Sequence, residues 1–168
     1  EANPMAFIVE QAGGAASIAS LVREVRRVEP DHLVVKALSR MAAPALRNRI
    51  TLGGSIALFP PWSTVVGPLL AAGTKLTLVG AHEGTVGLDE YLDRRELRTG
   101  TAIVDVDVAL TPGLRSSWFA FTRTRFTYPL FSVAAIGRPE KGIIADLRLV
   151  VTGNAGRYSR LAELEKRL

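Results

Sequence analysis

The hydrophobic pattern of this chain changes period along its length, and that change restricts the folds open to it. From Ser17 the apolar residues Ile18, Leu21, Val22, Val25 and Val28 recur every three to four positions, with Arg23, Glu24, Arg26 and Arg27 opposite. After Glu29-Pro30 the spacing resumes through Leu33, Val34, Ala37, Leu38 and Met41, with Asp31 as the expected N-cap and Pro44 as the interruption. Further on, the period falls to two in "TKLTLVG", "TAIVDVDVAL" and "WFAFTRTRFT". "LFSVAAIG" and "GIIADLRLVVTG" read as a hairpin joined by "RPEK". Helices first and antiparallel strands later predict an α+β protein, not a doubly wound α/β one.

In more detail, the expected order starts with a short strand "AFIVE" and two helices, followed by a loop over residues 45–62. A short apolar helix "TVVGPLLAAG" follows, capped by Ser63 and ended by Gly73. These helices pack with a small mixed or antiparallel sheet from "TKLTLVG", "EGTVGL" and "TAIVDVDVAL", with "DEYLDRREL" as a polar helix or turn. "TPGLRSS" is the expected junction, dividing residues 1–112 from 113–168. The second part predicts a three-stranded antiparallel sheet closed by a terminal amphipathic helix, "YSRLAELEKRL".

Composition excludes several chemistries. The 168 residues contain no cysteine, so disulfides, thiolate metal sites, iron–sulfur ligation within the chain and cysteine nucleophiles are ruled out. No apolar run approaches the ~20 residues of a membrane span. "EANPMAFIVEQ" lacks the basic and apolar regions of a signal peptide, and a cytoplasmic location is the expectation. Residues 1–4 read either as a tag remnant before Met5 or as the start of a fragment. The net charge of +5 suits an anionic ligand or acidic partner. The basic residues are scattered, without a basic helix carrying interleaved aromatics, so a nucleic-acid face is not expected.

Candidate chemistry is sparse. His32 and His82 have no second ligand at metal spacing. Asp105 and Asp107 share one strand face and are expected to face water. Asp89, Glu90 and Asp93 read as solvated helix charges, and no Walker or Rossmann glycine pattern is present. Residues 51–57 stand out. Consecutive Gly53 and Gly54 let the backbone approach a ligand and turn its amides toward an anion. Thr51 and Ser55 add hydroxyls, and a helix start near Ser63 adds its dipole. A tight turn in an ordinary fold uses the same residues, and spacing alone does not separate the two readings.

The order of segments does. "RNRITLGGSIA" (47–57), followed by "LLAAGTKLTLVG", resembles the FAD-binding, medium subunit of the xanthine dehydrogenase and carbon monoxide dehydrogenase family of molybdenum hydroxylases. That family carries a pattern like A-S-x-x-I-R-N-R-x-T-I-G-G-N-I-A, and Arg47, Asn48, Arg49, Thr51, Gly53, Gly54, Ile56 and Ala57 match it in order. The segment "WFAFTRTRFTYPLFSVAAIG" resembles the start of the family's C-terminal domain. The resemblance implies FAD as cofactor, with Thr51, Gly53 and Gly54 near its diphosphate. It implies electron transfer between iron–sulfur clusters of a small subunit and an external acceptor, beside a molybdopterin-binding large subunit.

The departures carry predictions too. Ser55 stands where the family has Asn, Thr64 where it has a loop Asp, and Thr122 where it has a Lys near the flavin ring. The family's first flavin-binding subdomain, with its Ala-Gly-Gly-Thr loop, has no counterpart in these residues. The sequence therefore predicts a degenerate or partial FAD site that holds the cofactor weakly by itself. The alternative is a non-catalytic scaffold that kept the fold, with Trp62 and its neighbouring prolines as a corner or an interface and self-association through a sheet edge.

Overall fold

The computed structural model describes residues 6–8, 16–58, 60–110, 113–124, 127–153 and 158–167. Strand β1 (Ala6–Ile8) comes first, then helices α1 (Ile18–Val28), α2 (Leu33–Leu38), α3 (Pro44–Arg47), α4 (Leu52–Leu58) and α5 (Val66–Ala71). Strands β2 (Lys75–Gly80) and β3 (Gly84–Gly87) precede α6 (Leu88–Asp93) and a 3-10 turn, Arg95–Arg98. Then come β4 (Thr101–Ala109), β5 (Arg115–Phe121), β6 (Phe131–Glu140), β7 (Ile143–Gly153), β8 (Tyr158–Arg160) and α7 (Ala162–Glu165). The strands form two antiparallel sheets, ordered β1-β4-β2-β3 and β5-β6-β7-β8. The architecture is α+β, as the change of period predicts.

The larger core lies between the helices and the first sheet. Ile18, Leu21, Val22 and Val25 of α1 meet Leu76, Leu78, Val106 and Val108 there. Helices α2 and α5 serve both sheets. Val34, Val35 and Leu38 of α2 and Val66 and Leu69 of α5 enter this first core. Leu33 and Ala71 turn to a second cluster with Ala134, Ile136 and Val150 of the second sheet. Gly67 permits the approach of α5, because a Cβ there would lie 2.9 Å from Thr152 Cγ2. Polar ties reinforce the same seam. Lys36 Nζ donates to the Ser116 carbonyl at 2.9 Å, and Arg148 Nη1 donates to the Ala71 carbonyl at 3.2 Å.

Several local expectations are corrected. Residues 45–62 are not a loop: α3 and α4 occupy most of them. Pro44 sits at the start of α3, where a missing N–H costs nothing, so it opens a helix instead of interrupting one. Helix α2 ends at Leu38, short of Met41. In β4 both Ile103 and Val106 point inward, because Val104 is an extra residue in the register against β2. The β6–β7 hairpin runs through "RPE" and turns at Lys141-Gly142, both at positive φ, as a two-residue hairpin turn requires. "YSR" joins the second sheet as a fourth strand, which leaves only one helical turn in α7.

Asp31 does not cap α2; His32 does. Its Nδ1 accepts from the Val34 amide at 3.3 Å, and the side chain is buried. A cap that accepts at Nδ1 must be unprotonated there. Burial pushes the His32 pKa down, and the charge on Lys36 adds to this against an opposing backbone carbonyl at Ala109. Below the ordinary value of 6.5 the unfolded chain takes up a proton that the folded chain refuses. Stability is therefore full above that value and falls as pH drops through it toward the lowered folded value. Urea midpoints measured between pH 7.5 and 5 should fall more in the wild type than in His32→Asn, which caps without titrating. Parallel curves for the two proteins would refute this assignment.

Candidate functional site

The segment Arg47–Ala57 is held from several directions. Arg47 Nη1 donates to the carbonyls of Met41 and Ala42 at 2.8 and 2.7 Å, which fixes the turn ahead of α3. The Leu52 amide bonds to the Ala16 carbonyl and the Ile18 amide to the Ile50 carbonyl, so α4 begins beside the start of α1. Leu52 and Ile56, four residues apart on one face, are buried and seat α4 on the core.

Gly53 and Gly54 therefore lie in the first turn of a helix, where backbone amides lack helical acceptors. Thr51 Oγ1 accepts from the Gly54 amide at 3.2 Å and acts as the cap. Because it accepts there, its own hydrogen stays available to a ligand. The Gly53 amide has no partner among the described residues, and Gly53 itself is buried, whereas Gly54 is exposed. A Cβ on Gly54 would lie 2.7 Å from Thr51 Oγ1, so a side chain would crowd the hydroxyl at this exposed turn. Ser55 is different. Its Oγ donates to the Thr51 carbonyl at 2.8 Å, so its hydrogen is already engaged inside the helix.

Thr51, Gly53, Gly54 and Ser55 are thus gathered at one helix start. Thr64 and Thr122 are not part of that group. Thr64 is half-buried in the turn before α5, and Thr122 is half-buried just past the end of β5. No hydrogen bond links either to Thr51–Ser55. The amino end of α5 is built from buried Val65 and Val66, so the expected dipole contribution from a helix at Ser63 does not face a ligand. Ser63 Oγ instead accepts from the Val65 amide at 3.3 Å within the preceding turn.

The segments carrying Thr64 and Thr122 converge on an apolar groove of about 460 Å³, lined by Pro61, Trp62, Phe121, Pro129, Leu130 and Phe131. The Trp62 and Tyr128 rings lie 6.0 Å apart, and Phe121 stacks on Phe131 at 5.5 Å. Phe59 lies outside the described residues. Sequence reasoning placed Phe119 and Phe121 on one strand face but did not join them to the Trp62 loop, which is more than fifty residues away in the chain.

FAD fits one end of this arrangement and not the other. The Thr51 hydroxyl and the bare, exposed Gly54 suit the approach of an anionic diphosphate, whereas Gly53 is buried in the same turn. At the groove, no charged side chain lines the wall among the described residues.

Comparison with known proteins agrees with the fold. The family described as the FAD binding domain in molybdopterin dehydrogenase matches residues 10–109, which include Thr51 through Thr64 but not Thr122. Among solved structures, a carbon monoxide dehydrogenase from Hydrogenophaga pseudoflava superposes with a TM-score of 0.81 at 22% identity, over 96% of this chain and 60% of that one. Quinoline 2-oxidoreductase from Pseudomonas putida 86 gives 0.76 at 21% identity, over 92% and 57%. Reconstituted CO dehydrogenase from Oligotropha carboxidovorans gives 0.81 at 15%, over 98% and 58%. None of the curated proteins matches this sequence. The chain spans 57–60% of the length of these solved chains. With the family matched over residues 10–109, on a fold shared with those oxidoreductase chains, this chain belongs to the FAD-binding domain family of molybdopterin dehydrogenases.

Proposed function

We propose that this chain supplies part of an FAD site in a molybdenum-hydroxylase-type flavoprotein. In the complete complex it serves electron transfer between iron–sulfur clusters and an external acceptor. The observation that carries the reading is the start of α4, where Thr51 caps the helix and the exposed, side-chain-free Gly54 leaves the turn open to approach. Bound FAD supplies the redox chemistry. The roles of this chain are binding and orientation: Thr51 would donate its hydroxyl to the diphosphate and Gly54 would keep the approach clear, with Gly53 buried in the same turn. Ser55 steadies the turn through the Thr51 carbonyl and does not donate to the cofactor. Thr64 and Thr122 lie toward the ring end and offer neutral hydroxyls where the family places an Asp and a Lys.

The site is accordingly degenerate or incomplete in this chain, and a large molybdopterin-binding subunit and a small iron–sulfur subunit are its partners. Affinity purification of the tagged chain from its native host tests the assembly. Stoichiometric molybdenum and iron in the eluate, with two further polypeptides, are the expected result. A colourless homo-oligomer free of both metals would favour the scaffold reading, which the exposed aromatic groove supports.

A further inference from the structure

Strand β5 is an edge strand, paired with β6 on one side only. Its register runs unbroken from Arg115↔Gly137 to Phe121↔Phe131, without a bulge, and the strand contains no proline. Bulges, prolines and inward charges are the usual means of blunting an edge. One end of this edge is closed, because Lys36 Nζ donates to the Ser116 carbonyl. Backbone groups alternate sides along a strand, so Trp118 and Ala120 project their amides and carbonyls the same way as that carbonyl. Among the described residues, nothing outside the β5–β6 ladder bonds to them.

The side chains beside this open stretch are apolar and exposed: Phe119 is 56% accessible and Phe121 46%. Arg115 begins the strand and Arg123 lies two residues past its end. Both are exposed, and neither pairs with a described acidic residue. The charge pattern selects among occupants. If two copies of β5 paired antiparallel about Phe119, Arg115 of one would oppose Arg123 of the other, and directly opposed like charges destabilise a sheet. The net charge of +5 also disfavours a second copy.

We propose that the free edge of β5 receives an extended segment of an acidic partner protein. The segment adds as a strand on the amides and carbonyls of Trp118 and Ala120. It lays apolar side chains along Phe119 and Phe121, and its carboxylates at either end face Arg115 and Arg123. Main-chain bonds supply affinity in this mode, while flanking charges set the choice of partner.

The test uses two synthetic peptides, each with five alternating valines and threonines, flanked by two glutamates at both ends or by two lysines. Binding is followed by anisotropy of the labelled peptide and by amide shifts of Trp118 and Ala120. The glutamate peptide is expected to bind about tenfold more tightly than the lysine peptide, and to weaken with salt. Ala120→Pro removes the outward amide and should abolish binding. Arg115→Glu with Arg123→Glu leaves the backbone edge intact and should reverse the preference. Equal binding of both peptides overturns the proposal, as does undiminished binding by a folded Ala120→Pro protein. A free chain that dimerises at micromolar concentration until Ala120→Pro is introduced overturns it too, in favour of a second copy.

Discussion

Titrated with FAD, the chain alone is expected to bind two to four decades more weakly than a variant carrying Ser55→Asn, Thr64→Asp and Thr122→Lys together. The difference comes from the ends of the cofactor that the native residues leave unsupported. A net hydrogen bond contributes about 0.5–1.5 kcal/mol and a charge-assisted one about 1.5–3 kcal/mol. Three such contacts, if independent, sum to on the order of 3–6 kcal/mol, or roughly two to four decades. The geometry adds a reason specific to Ser55. Its hydroxyl is engaged with the Thr51 carbonyl, so it does not substitute for an outward-reaching amide. Thr64 and Thr122 sit on segments that meet at the aromatic groove, where a new charge would be only partly screened. Calorimetry or flavin fluorescence quenching reads the result. Micromolar binding by the unaltered chain would sink the degenerate-site reading. An affinity unchanged by the three substitutions would show that Thr64 and Thr122 do not flank the cofactor.

What the sequence made legible follows from which forces act locally. The stripe Ile18-Leu21-Val22-Val25 announces α1, because a helix of that period buries one face completely. The alternation in β2 is equally direct, whereas that in β4 is interrupted at Val104, where the register against β2 shifts. Helix α4 was hidden because Gly53 and Gly54 have poor helix propensity. Tertiary burial of Leu52 and Ile56 overrides that propensity, and no local rule weighs it. The same holds for "YSR", whose pairing with Val150–Thr152 depends on a strand already formed. At the site, the letters single out a glycine pair between Thr and Ser, and the structure places that pair in the first turn of α4 without a positive φ. Its being a helix start and not a loop, and the engagement of Ser55, depend on hydrogen bonds that the letters do not encode. The groove needed a contact across the chain, between Trp62 and the β5–β6 connection. His32 as the cap of α2 was missed because Asp31 is the commoner N-cap type; burial of the imidazole favours the neutral form that accepts at Nδ1.

Leu33→Ala is expected to lower the stability of the protein by about 2–5 kcal/mol, against less than about 0.5 kcal/mol for Val28→Ala at a half-exposed site. Leu33 is fully buried at the first position of α2, and it faces Ala71, Ala134, Ile136 and Val150. Two of those neighbours are already alanines, which cannot swing into a void, so the cavity stays open and the cost lies toward the upper end. Domains of this size have about 5–15 kcal/mol in total, so the variant is left with a thin margin. The substitution also tests how the two sheets cooperate. The residues next to Leu33, Val34 and Val35, belong to the first core, and α5 makes the same division with Leu69 and Ala71. A helix layer shared in this way cannot release one sheet without exposing apolar surface on the other. In a Trp62→Phe background, where Trp118 is the sole tryptophan and reports the second sheet, denaturation followed by fluorescence should therefore coincide with loss of helical ellipticity, with Leu33→Ala as without it. A Trp118 transition that moves ahead of the helical one in Leu33→Ala would show that the second sheet melts as a separate unit, and that α2 and α5 bind it too weakly to couple the two.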